Sequence, residues 1–234
     1  MKKFLLVVVV IVIIIILVGG YYGLVPGVSS IFGSDTPKDL GVVASVESFK
    51  SGIDKVGLVR DDAAAATSKS ITYQGSHPVN ISLSSEEITS LTQSGSWKPT
   101  WSLNPIADKF EMKISPNGTV EVSGLVDMNR LNGYLSSTGY KDVQSYLSKF
   151  NFLPNKIPFY ASGTGSITNN KVTLNITSAE LGRIPLPVDQ SSLSDAANFV
   201  EREITQIPGM SVTSANFSGG KLNFKGTYPS KIKF

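Results

Sequence analysis

From Phe4 to Pro26 the chain carries no charged side chain, and Phe4 to Val18 are all large aliphatic or aromatic residues. A helix that is apolar on every side cannot be paired off against one face of a water-soluble core, so lipid is its natural surrounding. About 20 such residues cross the hydrocarbon of a bilayer. The run therefore predicts a transmembrane signal-anchor helix over Phe4 to Val25. Lys2 and Lys3 place residues 1–3 in the cytoplasm by the positive-inside rule, and Tyr21 and Tyr22 stand where an interfacial aromatic belt forms. A cleaved signal peptide is the competing reading, but Val18-Gly19-Gly20 and the tyrosine pair make a poor cleavage site. The expectation is a single-pass protein of the cell membrane with an extracytoplasmic C-terminal domain.

The remaining 200 or so residues are enough for one self-sufficient core. The chain has no cysteine, which excludes a disulfide framework, a zinc–thiolate site and a thiol nucleophile. Without Lys2 and Lys3 the 21 basic residues fall to 19, against 18 acidic ones. That balance argues against a nucleic-acid partner, which calls for a basic surplus.

Pro26 to Lys38 is punctuated by Pro, Gly and Ser, so residues 26–40 read as a juxtamembrane linker. Residues 41–70 read as a short amphipathic helix, with Val46, Phe49, Ile53 and Val56 on one face, followed by a solvated connector. Residues 71–234 then repeat a helix-and-hairpin pattern three times. In the first unit Val79, Ile81 and Leu83 alternate as a strand, Ser84 and Glu87 form a capping box, and a hairpin turns at Pro116-Asn117-Gly118. The second has helical spacing through Leu131, Tyr134, Leu135 and then Val143 to Phe150, before a long hairpin, Ile157 to Thr168 and Val172 to Leu181. The third puts Leu193, Ala197, Val200, Ile204 and Ile207 on one helical face, and its hairpin turns at Ser218-Gly219-Gly220. The predicted class is α+β: an N-terminal transmembrane helix, then a curved antiparallel sheet of β-hairpins with amphipathic helices on one face.

Two segments carry a family resemblance. LSSEEITSLTQ, residues 83 to 93, resembles the helix opening of the YpmS-like group of membrane-anchored exported proteins of Gram-positive bacteria. ISPNGTVEVSGLV, residues 114 to 126, resembles their strand–turn–strand ending in Ser-Gly. Where that family has Asn at the end of the opening, this chain has Thr89 and Ser90. More loosely, helix openings followed by long hairpins are similar to tubular lipid-binding domains, in which a curved sheet wraps a helix. The resemblance implies an anchored, exported domain, and it transfers no catalytic residue.

The chemistry-bearing residues are few. His77 is the only histidine and precedes Pro78, and no G-x-S-x-G elbow accompanies it. Glu86 and Glu87 sit at a helix start, where carboxylates favour the positive end of the dipole. Gly163 to Ser166 (GTGS) lacks the lysine of a phosphate loop and reads as a bulge or a close backbone approach. No catalytic, metal or cofactor set emerges. Trp97 and Trp101 flank Lys98-Pro99 and either plug the core or meet a sugar or membrane interface. Leu181, Ile184 and Leu186, within LGRIPLPV, read as a lid, a docking edge or a loop packed over the sheet.

The function expected is non-enzymatic: binding of a lipid or other apolar ligand between sheet and helices, with the bilayer as partner of the N-terminal helix. The alternative is an interaction or scaffold module for a protein or cell-wall partner, and a hydrolase ranks third.

Overall fold

The computed structural model describes residues 2–57, 59–61, 72–93, 106–138 and 154–233. Helix α1 (Lys2–Tyr21) takes up the apolar run. Its stop is built into the backbone: the Leu24 N–H donates to Gly19 O and the Gly23 N–H to Gly20 O, with Gly23 at φ 84°. This is the Schellman arrangement, in which a left-handed residue just past the helix caps its last carbonyls. Glycine suits the position because it has no Cβ to clash.

The transmembrane helix expected over Phe4 to Val25 is thereby corrected. The helix ends at Tyr21, and its first two residues are lysines. The remainder rises about 27 Å at 1.5 Å per residue, against about 30 Å of hydrocarbon. Among the described residues no helix is long and apolar enough to cross a membrane.

The residues after α1 are folded, not a loose linker. A short helix α2 (Val28–Ile31) follows, and Ser34, Leu40 and Val42 are buried. The Leu40 N–H donates to Glu111 Oε2 at 2.9 Å, and the Ser45 N–H to Ser90 Oγ at 3.0 Å. Residues 34–45 thus run as a strap along the domain. Helix α3 (Val46–Val56) begins where the Ser45 hydroxyl accepts the Ser48 N–H and ends at left-handed Gly57.

The main sheet has eight strands: β3 (His77–Ser84), β4 (Ala107–Ile114), β5 (Val120–Asp127), β6 (Lys156–Thr168), β7 (Lys171–Leu181), β8 (Ile184–Pro185), β9 (Ser211–Ser218) and β10 (Lys221–Tyr228). The numbers β1 (Val59–Asp61), β2 (Thr72–Gln74) and β11 (Lys231–Lys233) belong to a separate three-stranded sheet. The main order is β3-β10-β9-β6-β5-β4, with β7 on the opposite edge of β6 and β8 beside β7. Long β6 therefore serves two hairpins end to end on one edge: Lys156 to Gly163 pair with β5, and Ser166 to Thr168 with β9. The turns of these hairpins meet, the Gly219 N–H donating to Pro116 O. All three predicted hairpins form at the predicted turns.

Register shows which face is apolar. Leu83, Ile81 and Val79 lie opposite Leu222, Phe224 and Gly226, which lie opposite Phe217, Ala215 and Val212. Across β6 the same face continues through Ile167, Gly165 and Gly163 to Val172, Leu174 and Ile176 on one side and Val120 on the other. The helices gather on this face. Helix α4 (Ser85–Thr92) and α3 pack together over its β3–β10 end, and α6 (Gln190–Gln206) sets Val200 and Ile204 against Val212, Ala215, Ile167 and Val172. Helix α5 (Met128–Thr138) follows β5 directly.

Helix α4 does more than cover the face. It stands beside β4, whose outer edge has no strand partner among the described residues. There Ser85 Oγ accepts the Ile114 N–H at 2.9 Å, Thr89 Oγ1 accepts the Met112 N–H at 3.0 Å, and Gln93 Nε2 donates to Phe110 O at 3.1 Å. Four helical residues rise about 6 Å and two strand residues about 6.6 Å, so every fourth side chain of α4 meets every second residue of β4. A helix thereby satisfies an edge that would otherwise be left for another chain.

Candidate functional site

Between α3, α4 and the β3–β10 end of the sheet lies a cavity of about 210 Å³. Ile53 and Val56 of α3, Ile88 and Leu91 of α4, and the alternating side chains of β3 and β10 form its wall, with Met210 at the α6–β9 junction. Among the described residues that line it, Thr92 and Tyr228 alone have a side-chain polar atom other than sulfur. The Thr92 hydroxyl is committed to Ile88 O and Thr89 O, as helix-end threonines commonly are. A space walled this way excludes charge and favours hydrocarbon. A second apolar hollow of similar volume lies on the same sheet face over β5, β6 and β7, lined by Val120, Val122, Leu174, Ile176 and Phe217.

One carboxylate stands behind the first cavity. Glu87 is 6 % exposed and completes the predicted capping box with Ser84. Lys55 Nζ lies 2.6 and 2.8 Å from its two oxygens, and the Ser51 hydroxyl and the Ser84 N–H also donate to it. Burial pushes the Glu87 carboxyl up, but the donors from Lys55, Ser51 and Ser84 outweigh it and hold it below the ordinary value. Its acceptor capacity is used in joining α3 to α4 and in capping α4. Because its folded pKa is depressed, the stability Glu87 contributes is present above the unfolded value of about 4.3 and is lost as pH falls through the folded value. In denaturant melts, wild type should weaken over that acid range more steeply than Glu87→Gln, and equal slopes would remove Glu87 from this role.

His77 is structural in its contacts. Its Nε2 lies 2.9 Å from Val56 O at the end of α3, and its Nδ1 3.3 Å from Ser230 Oγ. The ring ties the α3 terminus to the strand that enters the small sheet. Glu86 is exposed, and among the described residues no group of three or more His, Asp or Glu is placed to hold a metal ion. In GTGS the bulge between Ser162 and Gly163 brings the chains so close that a Cβ on Gly163 would stand within van der Waals overlap of Asn175 O. Trp97 and Trp101 lie outside the described residues.

Leu181, Ile184 and Leu186 lie together, around the β7–β8 turn. Leu181 pairs with Phe159 and with Ile184, and Leu186 is 43 % exposed. This turn receives the base of α1. The Arg183 N–H donates to Tyr22 O, the Arg183 guanidinium donates to Phe32 O, and it lies 4.9 Å from the centre of the Tyr21 ring. Ser34 Oγ donates to Gly20 O at 2.6 Å from the strap. Helix α1 is thus held against the domain at its base, while Val9 to Val18 each keep 40–63 % of their surface exposed. Sequence reasoning missed both this joint and the α4 seal on β4. The signal for the seal is the stripe Ser85, Thr89, Gln93 at four-residue spacing, beside the apolar Ile88 and Leu91. Compared with family models, curated proteins and solved structures, the chain matches none.

Proposed function

We propose that this is a non-enzymatic, lipid-associated binding protein: α1 seats its aliphatic surface in the apolar phase of a bilayer, and the domain holds an apolar ligand in the cavity under α3 and α4. The observation that carries the reading is the cavity itself, about 210 Å³ with a wall of aliphatic and aromatic side chains. Apolar cavities of about 150 Å³ stay dry and bind small hydrocarbons, so this one accommodates a short length of acyl or alkyl chain. The exposure of Val9 to Val18 supports the bilayer as the surrounding of α1, because no described residue covers them. The scaffold alternative, through a sheet edge or LGRIPLPV, has less support, since LGRIPLPV is engaged with the base of α1 through Arg183 and the β4 edge with α4.

Native mass spectrometry of the full chain tests the reading. The wild type should carry one copy of a lipid or acyl adduct, and Ile81→Trp, which fills the cavity, should carry none while keeping the wild-type circular dichroism. A wild type without adduct, or one whose adduct survives Ile81→Trp, would overturn the cavity as the binding site.

A further inference from the structure

Among the described residues that line the cavity, one polar group is left uncommitted. Tyr228 lines the cavity from the last inward position of β10 and packs against the same cluster as Phe49, Ile53, Val56 and Tyr73. Among the described residues its hydroxyl has no hydrogen-bond partner, yet it is not among the buried polar atoms sealed off without one. That leaves the hydroxyl accessible, on a residue of the cavity wall. Buried tyrosine hydroxyls ordinarily find a partner, because the ring is apolar and the tip is polar. An unpartnered donor on an otherwise hydrocarbon wall is the kind of group that fixes a ligand's orientation.

Resting on the ligand-binding reading above, we propose that the cavity takes a single-chain amphiphile. Its hydrocarbon lies against Ile81, Leu83 and Leu222, and a neutral oxygen in its head, an ester carbonyl or a hydroxyl, accepts a hydrogen bond from Tyr228. Three observations fix the ligand class. The wall is apolar, which selects a chain. Among the described residues no lysine or arginine lines it, which disfavours a charged carboxylate or phosphate at this point. And the tyrosine remains a donor: burial, helped by the nearby Tyr73, pushes the Tyr228 hydroxyl up to about 12, so it keeps its proton across the physiological range. Burial and the charge of Glu203 likewise push the Tyr73 hydroxyl up.

The test compares two probes of nearly equal length, methyl octanoate and nonane, on the full chain in nanodiscs. Occupancy is read from the methyl NMR signals of Ile81, Leu83 and Leu222, which distinguish the cavity from the surrounding lipid. The wild type should bind methyl octanoate more tightly than nonane by about two- to tenfold, the range expected of one neutral hydrogen bond. Tyr228→Phe keeps the ring and should erase that preference while leaving nonane unchanged. Nonane binding with no ester preference in the wild type, or a preference that survives Tyr228→Phe, overturns the role of Tyr228 and leaves the cavity reading standing. If neither probe moves the three methyl signals in the wild type, both readings fall.

Discussion

Val212→Asp is expected to unfold the domain at room temperature. Val212 is 1 % exposed, at the centre of the cluster formed with Ile204, Ala215, Val200 and Ile167. Removing its side chain from that site forfeits about 1.5–3 kcal/mol of burial. The carboxylate that replaces it has no positive partner in the cluster, and an uncompensated buried charge costs several kcal/mol more. Together these approach the whole stability of an ordinary domain, about 5–15 kcal/mol. The neighbouring Thr213 is exposed, so Thr213→Asp should shift stability by no more than about 0.5 kcal/mol. Circular dichroism melts of the two variants decide the matter. If Val212→Asp melts with the wild type, the sheet face assigned to the core is the wrong one.

The second large effect concerns the seal between α4 and β4. Thr89→Val with Ser85→Ala keeps the packing nearly isosteric and removes the acceptors of the Met112 and Ile114 N–H groups. Thr89 is fully buried, and water has no route to replace its oxygen. Each stranded donor costs about 1–3 kcal/mol, so the pair should lose about 2–6 kcal/mol in urea denaturation. Hydrogen exchange adds a local reading: protection of the Met112 and Ile114 amides should fall by more than that of Val122, which lies in the interior strand β5. Uniform loss across the sheet would mean that the two side chains stabilise the fold without sealing its edge.

The hairpins were legible because their information is local. Pro116-Asn117-Gly118, Asn169-Asn170 and Gly219-Gly220 set their turns within a few residues, and alternation on either side sets the register. The capping box at Ser84 and the inward face of α6 are equally local and appear as read. What was not legible depends on distant partners. Nothing near Val59 announces that β1 pairs in parallel with β11 at the other end of the chain. The polar stripe of α4 acquires its meaning only when β4 is set beside it. The membrane segment failed differently: the span was read to Val25 on the absence of charge, and the stop that Gly23 supplies was not weighed. The cavity lies between these cases. The alternation of Val79, Ile81 and Leu83 was read as a strand, but whether helices fill the space above its apolar face depends on where α3 and α4 cross.

The central claim, that this space is a binding site for an apolar chain, is tested most directly by the dependence of affinity on chain length. With the full chain in nanodiscs and the Ile81 and Leu222 methyl signals as the readout, methyl esters of increasing length should bind about fourfold more tightly for each added methylene, the equivalent of about 0.8 kcal/mol. The gain should stop abruptly once the cavity is full. Affinity that is flat with length from the shortest ester onward, or shifts confined to residues outside the cavity, would contradict the account.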